Sequence, residues 1–94
     1  MVMKESMRLI SPVHVIPRKT VKPVEFKGHT IPANTYVIIS PIISHHLREW
    51  WPDPRRFDPL RFSPEINQHK KHPYQFVPFG GGAHMCIGLH FAEM

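Results

Sequence analysis

The sequence predicts an α+β chain: one helix at the start, short β-strands, an irregular meandering coil, a glycine-rich loop around the only cysteine, and the start of a second helix. Three observations lead there. Eleven prolines run from Pro12 to Pro78, and each fixes φ and removes a backbone donor, which excludes long helices across the middle. The stretches between them are short, often apolar, and bounded by turn residues. Uninterrupted helix formers occur only in residues 1–10 and beyond Cys86.

Taken in order, residues 1–10 (MVMKESMRLI) place Met3 and Met7 on one face and Glu5 and Arg8 on another, with Ser11-Pro12 as the stop. Val13 to Ile16 is a short strand candidate closed by Pro17. Residues 24–40 read as β-segments divided by turns at Lys27-Gly28 and Pro32-Ala33-Asn34, with Tyr36 to Ile39 the most apolar strand. Pro41 to Glu49 has room for a short helix. Prolines 52, 54, 59 and 64 then allow nothing longer than a turn or two, and burial of Trp50, Trp51, Phe57 and Phe62 is the expected force holding that coil. Residues 67–73 are rich in His and Lys and are expected to be exposed. The last stretch, FVPFGGGAHMCIGLHFAEM, passes through three glycines into a helical pattern beginning near Cys86.

Composition narrows the function classes. Net charge is +5, but the basic residues are dispersed and no nucleic-acid motif accompanies them, so nucleic acid is not an expected partner. One cysteine excludes an internal disulfide and a multi-cysteine zinc framework. No apolar run approaches the roughly 18 residues of a transmembrane helix, and the start does not read as a signal peptide. Met1 opens directly into a helical pattern and Met94 stops inside another, so the expectation is one partial domain over residues 1–94, cut at both ends.

Four of the five glycines lie between Gly80 and Gly88, where the backbone must take conformations or close approaches that a Cβ would forbid. Cys86 follows, at the expected first turn of a helix, where unpaired N–H groups favour a thiolate. A buried structural cysteine beside a tight turn is the bland alternative. A phosphate cradle fails because no Lys-Ser or Lys-Thr follows the glycines. A zinc site from His84, Cys86 and His90 lacks a fourth ligand nearby.

Residues 79–88, FGGGAHMCIG, resemble the cysteine-ligand signature of the cytochrome P-450 family: Phe, two residues, Gly, one residue, Arg or His, one residue, Cys, one residue, Gly. With five defined positions at a chance of about 5% each, roughly one start in a few million matches by accident. Two further family features stand in order. One is the helical Glu-x-x-Arg, here Glu5-Ser6-Met7-Arg8; the other is the aromatic-proline-arginine coil, here Phe57-Asp58-Pro59-Leu60-Arg61-Phe62. The full family fold is mainly α, and this chain resembles its C-terminal part.

The resemblance implies haem b (iron protoporphyrin IX) with Cys86 as the axial thiolate and catalytic ligand, its sulfur receiving backbone N–H groups that follow it. Phe79 would shield the thiolate side, Gly82 permit the sharp loop, and Gly88 let the helix approach the macrocycle. His84 takes the basic position that binds a haem propionate, with a charge that depends on pH where arginine's would not. Arg18 stands where many members put a second propionate ligand. Glu5, Arg8 and Arg61 match the buried network that pins the coil to the first helix, whereas Leu60 replaces a frequent glutamate, with the possible loss of one polar contact. His14, in a stretch that borders the substrate pocket, is either a substrate contact or a packed strand residue.

The implied activity of the parent is monooxygenation: one oxygen atom from O2 enters a small, apolar organic substrate and the other is reduced to water. Electrons would come from a ferredoxin or flavoprotein reductase, for which Lys70 and Lys71 suit an acidic surface. The resemblance does not reach the oxygen-activating acid and threonine of the family's long central helix. The chain alone is therefore expected to bind haem weakly or not at all and not to turn over; a truncated relic without catalysis is the alternative. A cytoplasmic address is the expectation, and membrane association of the parent is open.

Overall fold

The computed structural model describes residues 1–92 and Met94. Helix α1 (Val2–Leu9) is followed by strands β1 (Ile16–Lys19), β2 (Val24–Phe26), β3 (His29–Ile31) and β4 (Tyr36–Ile39), then helix α2 (Pro41–Ser44). A long coil follows, with 3₁₀ turns at Pro59–Phe62, Gln68–Lys70 and Gly82–His84, and helix α3 (Leu89–Ala92) ends the chain's regular structure. The α+β expectation holds.

β2 and β3 form an antiparallel hairpin nested inside the antiparallel pair β1–β4. Its two-residue turn, Lys27 at φ 47° and Gly28 at φ 79°, has the positive dihedrals whose twist suits a tight hairpin. Thr20 clasps the outer pair. Its N–H donates to the Thr35 carbonyl at 3.0 Å, its hydroxyl donates to the Pro32 carbonyl at 2.7 Å, and that hydroxyl accepts the Thr35 N–H at 2.9 Å.

The first strand differs from expectation. Residues 13–15 are coil, and the strand runs through Pro17, which pairs with Ile38. The Pro17 carbonyl accepts the Arg18 guanidinium at 2.9 Å, so it faces away from β4. In an antiparallel strand a residue's nitrogen faces the same way as its carbonyl, so the missing N–H costs the ladder nothing.

The core is small and mostly polar. Among the described residues Trp51 and Phe62 are the buried large apolar side chains, whereas Glu5, Arg8, Ser11, His45, Arg61, Ser63, Gln68 and Gln75 are buried polar ones. The expected burial of four coil aromatics is therefore half right. Phe57 is exposed, and Trp50 is half-buried with its ring stacked on His72 at 5.1 Å. Phe76 completes the cluster, 4.9 Å from Phe62 between ring centroids. The expected exposure of residues 67–73 also fails at Gln68, whose amide donates to the Trp50 carbonyl together with that of Gln75.

The accessible surface is 7087 Å². A compact monomer of 11.0 kDa would show roughly 5,600 Å². The excess is apolar in part: Val21, Tyr36, Ile38, Ile87 and Phe91 are each more than two-thirds exposed. Among the described residues no helix is long and apolar enough to cross a membrane.

Candidate functional site

Three local bonds shape the cysteine loop. Gly80 N–H reaches the Val77 carbonyl at 3.1 Å, Met85 N–H reaches Gly82 at 3.2 Å, and Cys86 N–H returns to the Phe79 carbonyl at 3.0 Å, closing the loop at its neck. Gly82 sits at φ +66°, as the sharp loop requires, and Gly80 at φ +78°, both dihedrals of the kind expected of this glycine run. A Cβ on Gly81 would stand 3.3 Å from the Tyr74 ring, a close approach of the kind also expected there.

Cys86 is exposed at the end of this loop. Two expectations about it change. Helix α3 begins at Leu89 and is four residues long, so Cys86 precedes the helix instead of occupying its first turn. Among the described residues no backbone N–H donates to its sulfur; the Leu89 N–H turns to the Cys86 carbonyl at 3.4 Å. A Cβ on Gly88 would stand 3.7 Å from Cys86 Sγ, an ordinary contact, so among the described residues nothing requires glycine there.

The predicted residues converge on one cleft. Cys86, Phe79, His84 and Arg18 line a concavity of about 340 Å³ whose apolar walls include Val13 and Val15. Gly82 and Gly88 shape the loop and do not line it. His14 is exposed and absent from the lining, so it is neither packed nor turned into the cleft; its carbonyl accepts the Ser40 hydroxyl at 3.0 Å. A larger open groove of about 1080 Å³ lies between α2 and the coil at Pro52–Arg56 and contains no cysteine. Among the described residues no three His, Cys, Asp or Glu side chains gather as a metal cluster, which leaves His84, Cys86 and His90 unassembled as a zinc site.

Beneath the loop lies the ion network. Glu5 and Arg8 are fully buried and joined twice, Nε to Oε2 at 2.7 Å and Nη2 to Oε1 at 2.8 Å. Arg8 also donates to the carbonyls of His45, Pro54 and Arg56 at 2.9, 2.7 and 3.2 Å. Glu5 Oε1 accepts the Asp58 N–H at 2.9 Å and faces Arg61 Nε at 3.6 Å. One carboxylate thus holds a cation from its own helix and one from the coil. Leu60 points into solvent, and among the described residues Arg61 Nε has no hydrogen bond, while its Nη2 donates to the Asp53 carbonyl at 3.0 Å.

His45 was not foreseen. It is fully buried, its Nε2 accepts the Val77 N–H at 2.9 Å, and burial, then His46 and Arg8, lower its pKa from 6.5 to about 4. Burial, ahead of Lys4 and Lys70, lowers His69 in the same direction. The unfolded chain therefore binds more protons between those two values, and stability contributed by neutral His45 is complete above pH 6.5 and lost as pH falls toward 4. The expected loss is roughly 2–3 kcal/mol, measured as unfolding free energy from urea titrations across that range.

A soft sulfur donor, the Arg18 cation, the His84 imidazole and apolar walls around one cleft suit a macrocycle with anionic carboxylates and a thiolate-bound metal. The cytochrome P450 family model matches residues 1–94, and the chain belongs to that family, whose cofactor is haem. It is 48% identical over its whole length to a putative cytochrome P450 136 of Mycobacterium tuberculosis, covering 19% of that protein. It is 46% identical, again over its whole length, to a probable cytochrome P450 4aa1 of Drosophila melanogaster, covering 18% of it. The solved structure of cyanobacterial CYP120A1 with retinoic acid bound superposes with a TM-score of 0.91 at 36% identity, over 98% of this chain and 22% of that one. The chain thus spans about a fifth of these relatives.

Proposed function

We propose that residues 1–94 form part of a cytochrome P450 domain and supply the thiolate-ligand side of a monooxygenase, with Cys86 as the iron ligand. The convergence of Cys86, Phe79, His84 and Arg18 on one cleft carries this reading. The bound cofactor, haem b, would supply oxygen activation, which a thiolate ligand favours by donating electron density to iron. The chain's own residues bind and orient. Cys86 presents its sulfur from a loop fixed by the Phe79 carbonyl, and Arg18 and His84 offer charge-assisted hydrogen bonds to two propionates. Phe79, Val13 and Val15 line the cleft beside the exposed sulfur and would shield it once the cofactor is bound. The substrate would be a small apolar organic compound, and the electron donor a ferredoxin or flavoprotein reductase meeting the basic surface around Lys70 and Lys71.

The excess exposed surface favours a narrower reading for the 94 residues alone: weak haem binding without turnover. Haem titration of the chain and of Cys86→Ala, followed by spectra of the reduced carbon monoxide complex, tests both. A thiolate-type Soret band at saturating haem, abolished in Cys86→Ala, is the expected result, with no substrate-dependent oxygen consumption. The same band in both proteins would remove Cys86 from the iron, and turnover by the chain alone would overturn the narrower reading.

A further inference from the structure

We propose that His45 is the positioning residue of the cysteine loop, holding the segment that carries Phe79 in register against the Glu5–Arg8–Arg61 network. The proposal rests on the haem-thiolate reading for its consequence and on hydrogen bonds for its geometry. His45 stands between the two structures. On one side its carbonyl accepts Arg8 Nη1 at 2.9 Å. On the other its Nε2 accepts the Val77 N–H at 2.9 Å, and its ring lies 5.2 Å from that of Phe76. From Val77 the path to the ligand is short: the Val77 carbonyl takes the Gly80 N–H at 3.1 Å, and the Phe79 carbonyl takes the Cys86 N–H at 3.0 Å.

This arrangement requires one protonation state. An Nε2 that accepts leaves the proton of the neutral ring on Nδ1. That atom is buried and has no hydrogen-bond partner among the described residues; the carbonyls of Arg8 and Met7 face the ring without completing a bond. A second proton would turn Nε2 into a donor aimed at a donor and leave the Val77 N–H unpaired. Burial and the charged or titratable groups facing the ring oppose that proton more than the two carbonyls favour it. Arg8, from α1, is a cation held by Glu5, His46 is the neighbour on its own turn, and residues 75–79 contribute no ionisable side chain. A histidine that merely filled space could be replaced by leucine without consequence for Val77. A positioning histidine could not, and glutamine, which also offers an acceptor, should restore part of its function.

The test is amide hydrogen exchange in the 94-residue chain, with Val77 compared to Thr20, whose N–H bonds to Thr35 in the remote strand clasp. His45→Leu is expected to accelerate Val77 exchange at least tenfold relative to Thr20, and His45→Gln to recover most of that loss. In haem-loaded protein the thiolate-type share of the reduced carbon monoxide spectrum should fall and recover in parallel. Unchanged relative exchange at Val77 in His45→Leu overturns the proposal. Should that variant unfold, so that Thr20 also exchanges freely, wild-type protein decides: the Val77-to-Thr20 protection ratio should collapse through about pH 4, and a flat ratio overturns the proposal equally. Exchange needs no haem. A failed Cys86→Ala spectral test with intact Val77 behaviour would therefore sink the haem reading and leave the His45 contact standing.

Discussion

Glu5→Ala is expected to bring the chain to the edge of unfolding. The substitution strips Arg8 of its bonds at 2.7 and 2.8 Å, leaves Arg61 without its ion-pair partner, and orphans the Asp58 N–H. Removing one member of a buried ion pair costs about 3–5 kcal/mol, because the remaining charge stays buried without compensation. Small domains are stable by only about 5–15 kcal/mol, and a chain with two large apolar side chains in its core belongs near the lower end. Urea titration followed by tryptophan fluorescence reads the effect as a lower midpoint. Glu25→Ala is the control: among the described residues its carboxylate accepts only the Thr30 hydroxyl in an exposed hairpin, and the expected change lies within about 0.5 kcal/mol. If both variants fell together within that margin, Glu5 and Arg8 would be acting as a surface pair and the coil would be held by other forces.

The contrast between these two glutamates shows what the sequence could and could not reveal. Spacing put Glu5 and Arg8 on one face of α1, but spacing alone equally describes a solvated pair. The reach of Arg8 to carbonyls at His45, Pro54 and Arg56 depends on chain returning from about 40 residues away, which no local pattern records. Turn chemistry was legible because it is local: Gly28 and Gly82 adopt the positive φ that glycine permits, as does Asn34, whereas Lys27 takes it only because the tight hairpin demands it. Proline misled at β1 because its effect depends on which side of the strand has a partner, and Pro17 faces away from it. The cysteine loop was found through its signature, whereas His45 looked like any other member of a His-His pair. Its part follows from a contact with Val77 across 32 positions. The helix was misplaced by three residues at Cys86, since it begins at Leu89 and helical periodicity does not mark where the loop gives way to it.

Trp51→Ala should rival Glu5→Ala in size for a different reason. Trp51 is fully buried, sits 5.9 Å from Phe62 and 6.4 Å from Phe76 between ring centroids, and donates its Nε1–H to the Ser44 carbonyl at 3.1 Å. Truncating a buried tryptophan to alanine costs about 3–5 kcal/mol through lost transfer energy and the cavity left behind. Trp51→Phe keeps much of the ring but leaves the Ser44 carbonyl unmet, for an expected cost of about 1–3 kcal/mol. The ring is also where the apolar cluster meets the ion network, since Arg8 Cζ lies 5.2 Å from its centroid. A guanidinium desolvated over a tryptophan face gains about 2 kcal/mol, so the two groups should not act independently. A double-mutant cycle with Trp51→Phe and Arg8→Lys, both milder than truncation, measures the coupling from four urea curves. An interaction energy of at least about 0.5 kcal/mol is expected. It would mean that the aromatic cluster orients the same arginine that grips His45, so that packing in the coil reaches the cysteine loop through one side chain. Strict additivity would separate the two, leaving the loop dependent on the ion network alone.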